Sequence, residues 1–265
     1  MPRANAMEVI LKKLARPDWT IIVLSATAVA LLGWAYLFYQ GWSMEHMDLV
    51  TMAMPSIGAW GFADVFLVFA MWAVMMVAMM VPSVIPVLLI FAAIVRARHA
   101  QGRIFAPSWV FLAGYLVLWT GFSLSATLAQ WGLHSLALIS PMMVGTNPLL
   151  GGLLLITAGV YQWTPLKHAC LRHCRSPLQF LSTYWQDGTA GAFLMGLRHG
   201  TYCLGCCWLL MAVLFAVGVM NLGWIATLSI FVLVEKMIPR GFSLAKTGGV
   251  LLVIWGGWLV FSGRA

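Results

Sequence analysis

Charge is scarce in this chain: 8% of its 265 residues carry it, and only 7 are acidic. So few charges cannot furnish the polar shell of a soluble globule when 62% of the residues are apolar and the mean hydropathy is +0.93. From Ile104 to Leu166 there is no Asp, Glu, Lys or Arg at all. The sequence also lacks a G-x-x-x-x-G-K-[ST] motif and any polar segment long enough for an ATPase domain, so transport by this chain would be passive or ion-coupled. There is no long basic run and no interleaved aromatic platform, which removes nucleic acid as the explanation for a net charge of +8. Cysteine is missing before position 170 and after position 207. Internal repeats, low-complexity segments and a second domain are missing too, which leaves residues 1–265 as one transmembrane domain.

What remains is a series of long apolar runs. A backbone in lipid must satisfy its own hydrogen bonds, and these runs far exceed the roughly 10 residues of a barrel strand. The reading is therefore all-α, a polytopic integral membrane helical bundle of about seven transmembrane helices, with six as the lower count. The first run, Trp19 to Met44, follows Arg3, Lys12, Lys13 and Arg16; it is longer than a secretory signal needs and reads as an uncleaved helix. The second lies between Asp64 and Arg96, where Pro82 and Pro86 predict a kink or break. Spans near 108–132 and 148–164 follow. The run from Thr189 to Met220 is interrupted by Arg198 and His199, Asn221-Leu222-Gly223 reads as a turn into a sixth span ending near Glu235-Lys236, and Gly248 to Phe261 forms a short last one.

Alternating these spans from a cytoplasmic N-terminus gathers the basic residues on one side. Arg96, Arg98, Arg103, Lys167, Arg172, Arg175, Lys236, Arg240 and Lys246 fall inside, whereas the first outer loop carries Glu45, Asp48 and Asp64. Basic loops face the cytoplasm, so the expected location is a bacterial inner membrane, multi-pass, with the N-terminus cytoplasmic. Glu235 and Lys236 read as an interfacial pair or an orientation signal.

All five cysteines lie between positions 170 and 207, with His173 and His199 in the same window and His168 beside it. A helical turn over His168 to Cys174 would put Cys170, His173 and Cys174 on one face. Further on, Met195, His199, Cys203 and Cys206 recur at spacings of four, four and three, with Cys207 beside them and Arg198 supplying a nearby cation. A single cysteine in a membrane helix is a small apolar filler, and a single histidine pairs with a carbonyl. The set together points to a metal, because thiolate and imidazole are ligands for copper and zinc. Structural disulfides are not expected on a cytoplasmic face.

Methionine gives a second pattern. Met71, Met75 and Met79 recur at spacings of four, with Met76 and Met80 on the neighbouring row, and the outer loop adds Met44, His46, Met47, Met52 and Met54. Alone, the ladder is packing. Thioethers and imidazole at one end with thiolates at the other suit Cu(I), which raises copper above zinc.

Three stretches carry a family resemblance: Met75 to Ser83 (MMVAMMVPS), Tyr161 to Pro177 (YQWTPLKHACLRHCRSP) and Met195 to Met211 (MGLRHGTYCLGCCWLLM). They resemble the bacterial family of predicted metal-binding integral membrane proteins, domain of unknown function 2182, over roughly residues 65–245. The resemblance implies a multi-span helical fold and Cys170, Cys174, Cys203, Cys206 and Cys207 as the characteristic set. It supplies no reaction.

These readings converge on binding rather than catalysis. The expected function is to bind, and to transport or deliver, a soft transition metal through a cytoplasmic Cys/His cluster. The expected cofactor is copper, with zinc as the alternative. The implied partners are the lipid bilayer, the metal ion, and a metallochaperone or other membrane subunit. Two other readings are a thiol-disulfide or quinone oxidoreductase, permitted by the Cys203-Leu204-Gly205-Cys206 spacing, and a non-catalytic subunit of a membrane assembly.

Overall fold

A computed structural model describes residues 17–45, 60–136, 147–238 and 241–262. His46, Met47, Met52 and Met54 lie outside the described residues, so the outer-loop pattern is not located.

The described residues form helices joined by short connections: α1 (Pro17–Glu45), α2 (Phe62–His99), α3 (Ser108–Ser135), α4 (Pro148–Tyr161), α5 (Pro165–Arg175), α6 (Pro177–Tyr184), α7 (Gly188–Ala212), α8 (Leu214–Val217), α9 (Leu222–Met237) and α10 (Gly241–Ser262). Local sequence explains several starts. Asn147 accepts hydrogen bonds from the amides of Leu149 and Leu150, with Pro148 at the first helical position. Thr164 and Asn221 cap α5 and α9 in the same way, satisfying amides that have no partner within the helix.

Among the described residues, five apolar helices are long enough to cross a membrane: α1, α2, α3, the run α7–α8 and α10. The expected span at 148–164 is instead a bent pair, with α4 and α5 meeting at 63°, and counting that pair as one span makes six. The expected sixth span, α9, has 16 residues, a length of about 24 Å against the ~30 Å of a bilayer core. The last helix is longer than expected, starting at Gly241 rather than Gly248. Neither Pro82 nor Pro86 breaks α2, and α7 runs on through Arg198 and His199.

Small residues set the closest crossings. Gly114 of α3 sits so close to α7 that an added Cβ would lie 2.9 Å from the amide nitrogen of Leu197. Contacts that rise together, Phe111 with Gly196 and Leu118 with Gly200, make α3 and α7 parallel. Gly152 and Gly159 of α4 meet Gly256 and Gly249 of the antiparallel α10, the close approach that membrane helices achieve through small side chains. Trp72, Phe91, Phe111, Tyr115 and Trp119 fill the core between α2, α3 and α7.

Candidate metal centre

Two helices bring the cysteines together. On α5 the spacing of four puts Cys170 and Cys174 on the face directed at α7, with Leu171 buried beside them. On α7, Met195, His199, Cys203, Cys206 and Cys207 are all buried. The Cys174 and Cys207 thiols neighbour those of Cys203 and Cys206. Cys206 and Cys207 also donate to the carbonyl of Cys203, at 3.1 and 2.9 Å. Cys170 packs on Gly205, where an added Cβ would lie 2.8 Å from its sulfur, and the Tyr161 hydroxyl donates to the Gly205 carbonyl. All five cysteines are free thiols.

Cys203 has two further neighbours. The Lys236 ammonium donates to its sulfur at 2.9 Å, and the Tyr115 hydroxyl lies 3.1 Å from it. Lys236 also donates to the Ser83 hydroxyl at 3.2 Å, and Tyr115 donates to the Met80 carbonyl at 3.2 Å. One residue back, Glu235 pairs with Lys167, whose ammonium lies 2.8 and 3.1 Å from its two carboxylate oxygens. A charge buried in an apolar bundle is strongly unfavourable without a partner, and each charge here has one. Glu235 and Lys236 are therefore not an interfacial pair with each other. Consecutive helical residues point about 100° apart, so α9 presents one to α5 and the other to α7.

The expected histidine ligands have aromatic neighbours in this arrangement. The His173 ring stacks on Tyr202, with centroids 4.1 Å apart, and its Nδ1 donates to the Ala169 carbonyl. His199 sits among Phe111, Tyr115 and Phe180, and its Nδ1 has no hydrogen-bond partner. Arg198 turns outward over the Tyr184 ring at 4.5 Å, so the cation beside the thiols is Lys236 instead. Met71, Met75, Met76, Met79 and Met80 are buried inside the bundle. Among the described residues, no three His, Cys, Asp or Glu side chains are grouped so as to hold a metal ion in this arrangement. The donor chemistry nevertheless suits a soft ion: thiols on two facing helices, with thioethers buried in a third.

The polar end of the bundle, about 24 Å along α7 from Cys203, is tied together as well. Arg98 reaches Asp187 at 3.1 Å, and the Trp185 indole donates to the same carboxylate at 2.8 Å. The indole hydrogen bond, with Arg98 adding to it, holds the Asp187 carboxyl below its usual range.

The sequence did not signal Tyr115, Ser83 or Lys167 as neighbours of the thiols. Tyr115 lies in the uncharged stretch, where nothing distinguishes it from an interfacial aromatic. Lys236 was visible as an intramembrane charge, but an adjacent glutamate offered the nearer explanation.

Fold and site together define a polytopic all-α bundle with membrane-length helices and soft donors in its interior. Residues 69–259 match the PpoB2 family, described as a copper chaperone, and the chain belongs to that family. No curated protein and no solved structure matches it. The match bears out a metal-related family and a copper-related function, and it extends beyond residue 245 into α10.

Proposed function

We propose that the protein binds Cu(I) inside the bundle through sulfur ligands and delivers it onward. The observation that carries this reading is the facing of Cys174 on α5 with Cys203 and Cys206 on α7, in a member of a copper chaperone family. Cu(I) accepts as few as two or three soft ligands, so modest side-chain rotations would draw these thiols onto one ion. Lys236 leaves Cys203 as the metal arrives. Cys170 and Cys207 stand beside the set as further sulfur donors, and His173 and His199 contribute from its margin. The buried methionines of α2, Met71 to Met80, form the path between the thiols and the opposite end of the bundle. Thioethers hold Cu(I) without deprotonation, which favours them in a low-dielectric interior.

Basic residues at the α2–α3 and α4–α7 connections support a cytoplasmic position for the thiol end in a bacterial inner membrane. A reporter active only in the periplasm, fused within residues 165–188, should be silent; its activity would reverse this orientation. The function itself is tested by elemental analysis with thiol titration on one purified sample. Copper should co-purify, and Cys170→Ser, Cys203→Ser and Cys206→Ser should each lower it by a large fraction. Unchanged metal in the folded triple variant would overturn the reading, and zinc in place of copper would change the ion.

The closeness of the Cys174 and Cys203 thiols also supports a second reading, a thiol-disulfide oxidoreductase. A disulfide formed and reduced in step with a quinone pool, without bound metal, would favour it.

A further inference from the structure

A cavity of about 410 Å³ opens beside the start of α7, bordered by Tyr184, Gln186, Met195, Arg198, Thr201 and Tyr202. From it we infer the loading port of the copper site and the chemical form in which copper reaches it: a small anionic complex of Cu(I) with thiolate ligands. The inference rests on the copper reading above.

A line of soft donors leads inward from the cavity. Met195 lines it while only 2% exposed, His199 follows four residues on at 3%, and Cys203 four residues beyond at 1%. Residues four apart share a helix face and rise by about 6 Å, so the three side chains form steps over about 12 Å from the cavity to the thiols. His199 supplies the independent observation. Its Nδ1 is buried among Phe111, Tyr115 and Phe180 without a hydrogen-bond partner. A buried polar atom left unsatisfied calls for an explanation, and a passing soft cation provides one.

The border of the cavity selects the donor. Cu(I) held by two thiolates carries one net negative charge, and Arg198 stands exposed at the rim, held over the Tyr184 ring at 4.5 Å. The nearby carboxylate of Asp187 is committed to Arg98 and the Trp185 indole, which offsets its repulsion of an anion. The hydroxyls of Tyr184 and Tyr202, 3.0 Å apart, and the Gln186 amide offer hydrogen bonds to the ligands of such a complex. A volume of this size fits a small molecule rather than a folded protein domain. The exchange is redox-neutral: one donor thiolate leaves as the Met195 sulfur binds Cu(I), the second leaves as the ion passes to the cysteine sulfurs, and the proton each cysteine gives up goes to a departing thiolate.

The test uses the full chain in lipid nanodiscs and follows copper loading in time from two donors, Cu(I)–glutathione and the cationic Cu(I)–acetonitrile complex. Arg198→Gln should slow loading from glutathione about ten-fold, the scale of electrostatic steering, and leave loading from acetonitrile undiminished. Arg198→Lys should restore the rate, whereas Met195→Leu should slow loading from both donors with the same copper content at saturation. Parent-like loading of Arg198→Gln from glutathione, or equal slowing from both donors, would overturn the port. A parent that takes up no copper from either donor would overturn the copper reading, and the port with it.

Discussion

The Lys236 ammonium and the Cys203 sulfur lie 2.9 Å apart, one on α9 and the other on α7. A cation already stands where the proposed metal must bind, so loading has to displace it. Replacing Lys236 with Leu removes the competitor without adding a sulfur donor beside Cys203. The variant should retain copper about ten-fold more tightly against a chelator, since the fraction of sites competent to bind rises. Weaker retention in equilibrium competition would show that Lys236 supports the bound state instead.

The Lys167–Glu235 pair is the main polar tie between α5 and α9. Removing one partner leaves the other charged and buried, at a cost of about 3–5 kcal/mol. Glu235→Leu and Lys167→Met should each lower the unfolding midpoint in detergent sharply, and the double variant should recover most of the loss. Additive losses in this double-mutant cycle would mean that the two side chains act independently.

Gly205 lets the Cys170 sulfur approach α7. Gly205→Ala should destabilise the α5–α7 contact by about 1–3 kcal/mol through overpacking. Adding Cys170→Ala should relieve the clash, and thermal unfolding of the single and double variants separates this from a general helix effect.

Replacing Met75, Met76, Met79 and Met80 with Leu preserves volume and apolarity, so stability should change little, by under about 1.5 kcal/mol per site. Copper movement into chelator-loaded proteoliposomes should fall sharply. Unchanged movement would return the ladder to packing.

The helices were legible where the sequence punctuates itself. The apolar runs at 19–44, 64–96 and 108–132 fall on membrane-length helices, whereas the run at 148–164 bends where Thr164-Pro165 starts a second helix. The cysteine window was legible as a cluster because five residues of one type share 38 positions, 170 to 207, in a chain that otherwise has none. The partners of Cys203 were not. Lys236 is 33 residues away and Tyr115 is 88, and spacing carries no information across such separations. The prolines of α2 suggested a break that the helix does not show, because a helix packed on several sides can continue through proline. The stacking of His173 on Tyr202, 29 positions along the chain, was likewise outside what local spacing can show.

The 63° bend between α4 and α5 gives the two halves of the thiol set unequal freedom. Cys203, Cys206 and Cys207 belong to a helix of membrane-spanning length wedged against α3, and moving them means moving the scaffold. Cys170 and Cys174 ride on an 11-residue arm attached at Gln162–Thr164 and latched by a buried ion pair. Under the proposed delivery function, swinging that arm aside would expose one jaw of the sulfur clamp while every membrane-length helix stays where it is, and a cargo gripped from two sides would be released from one.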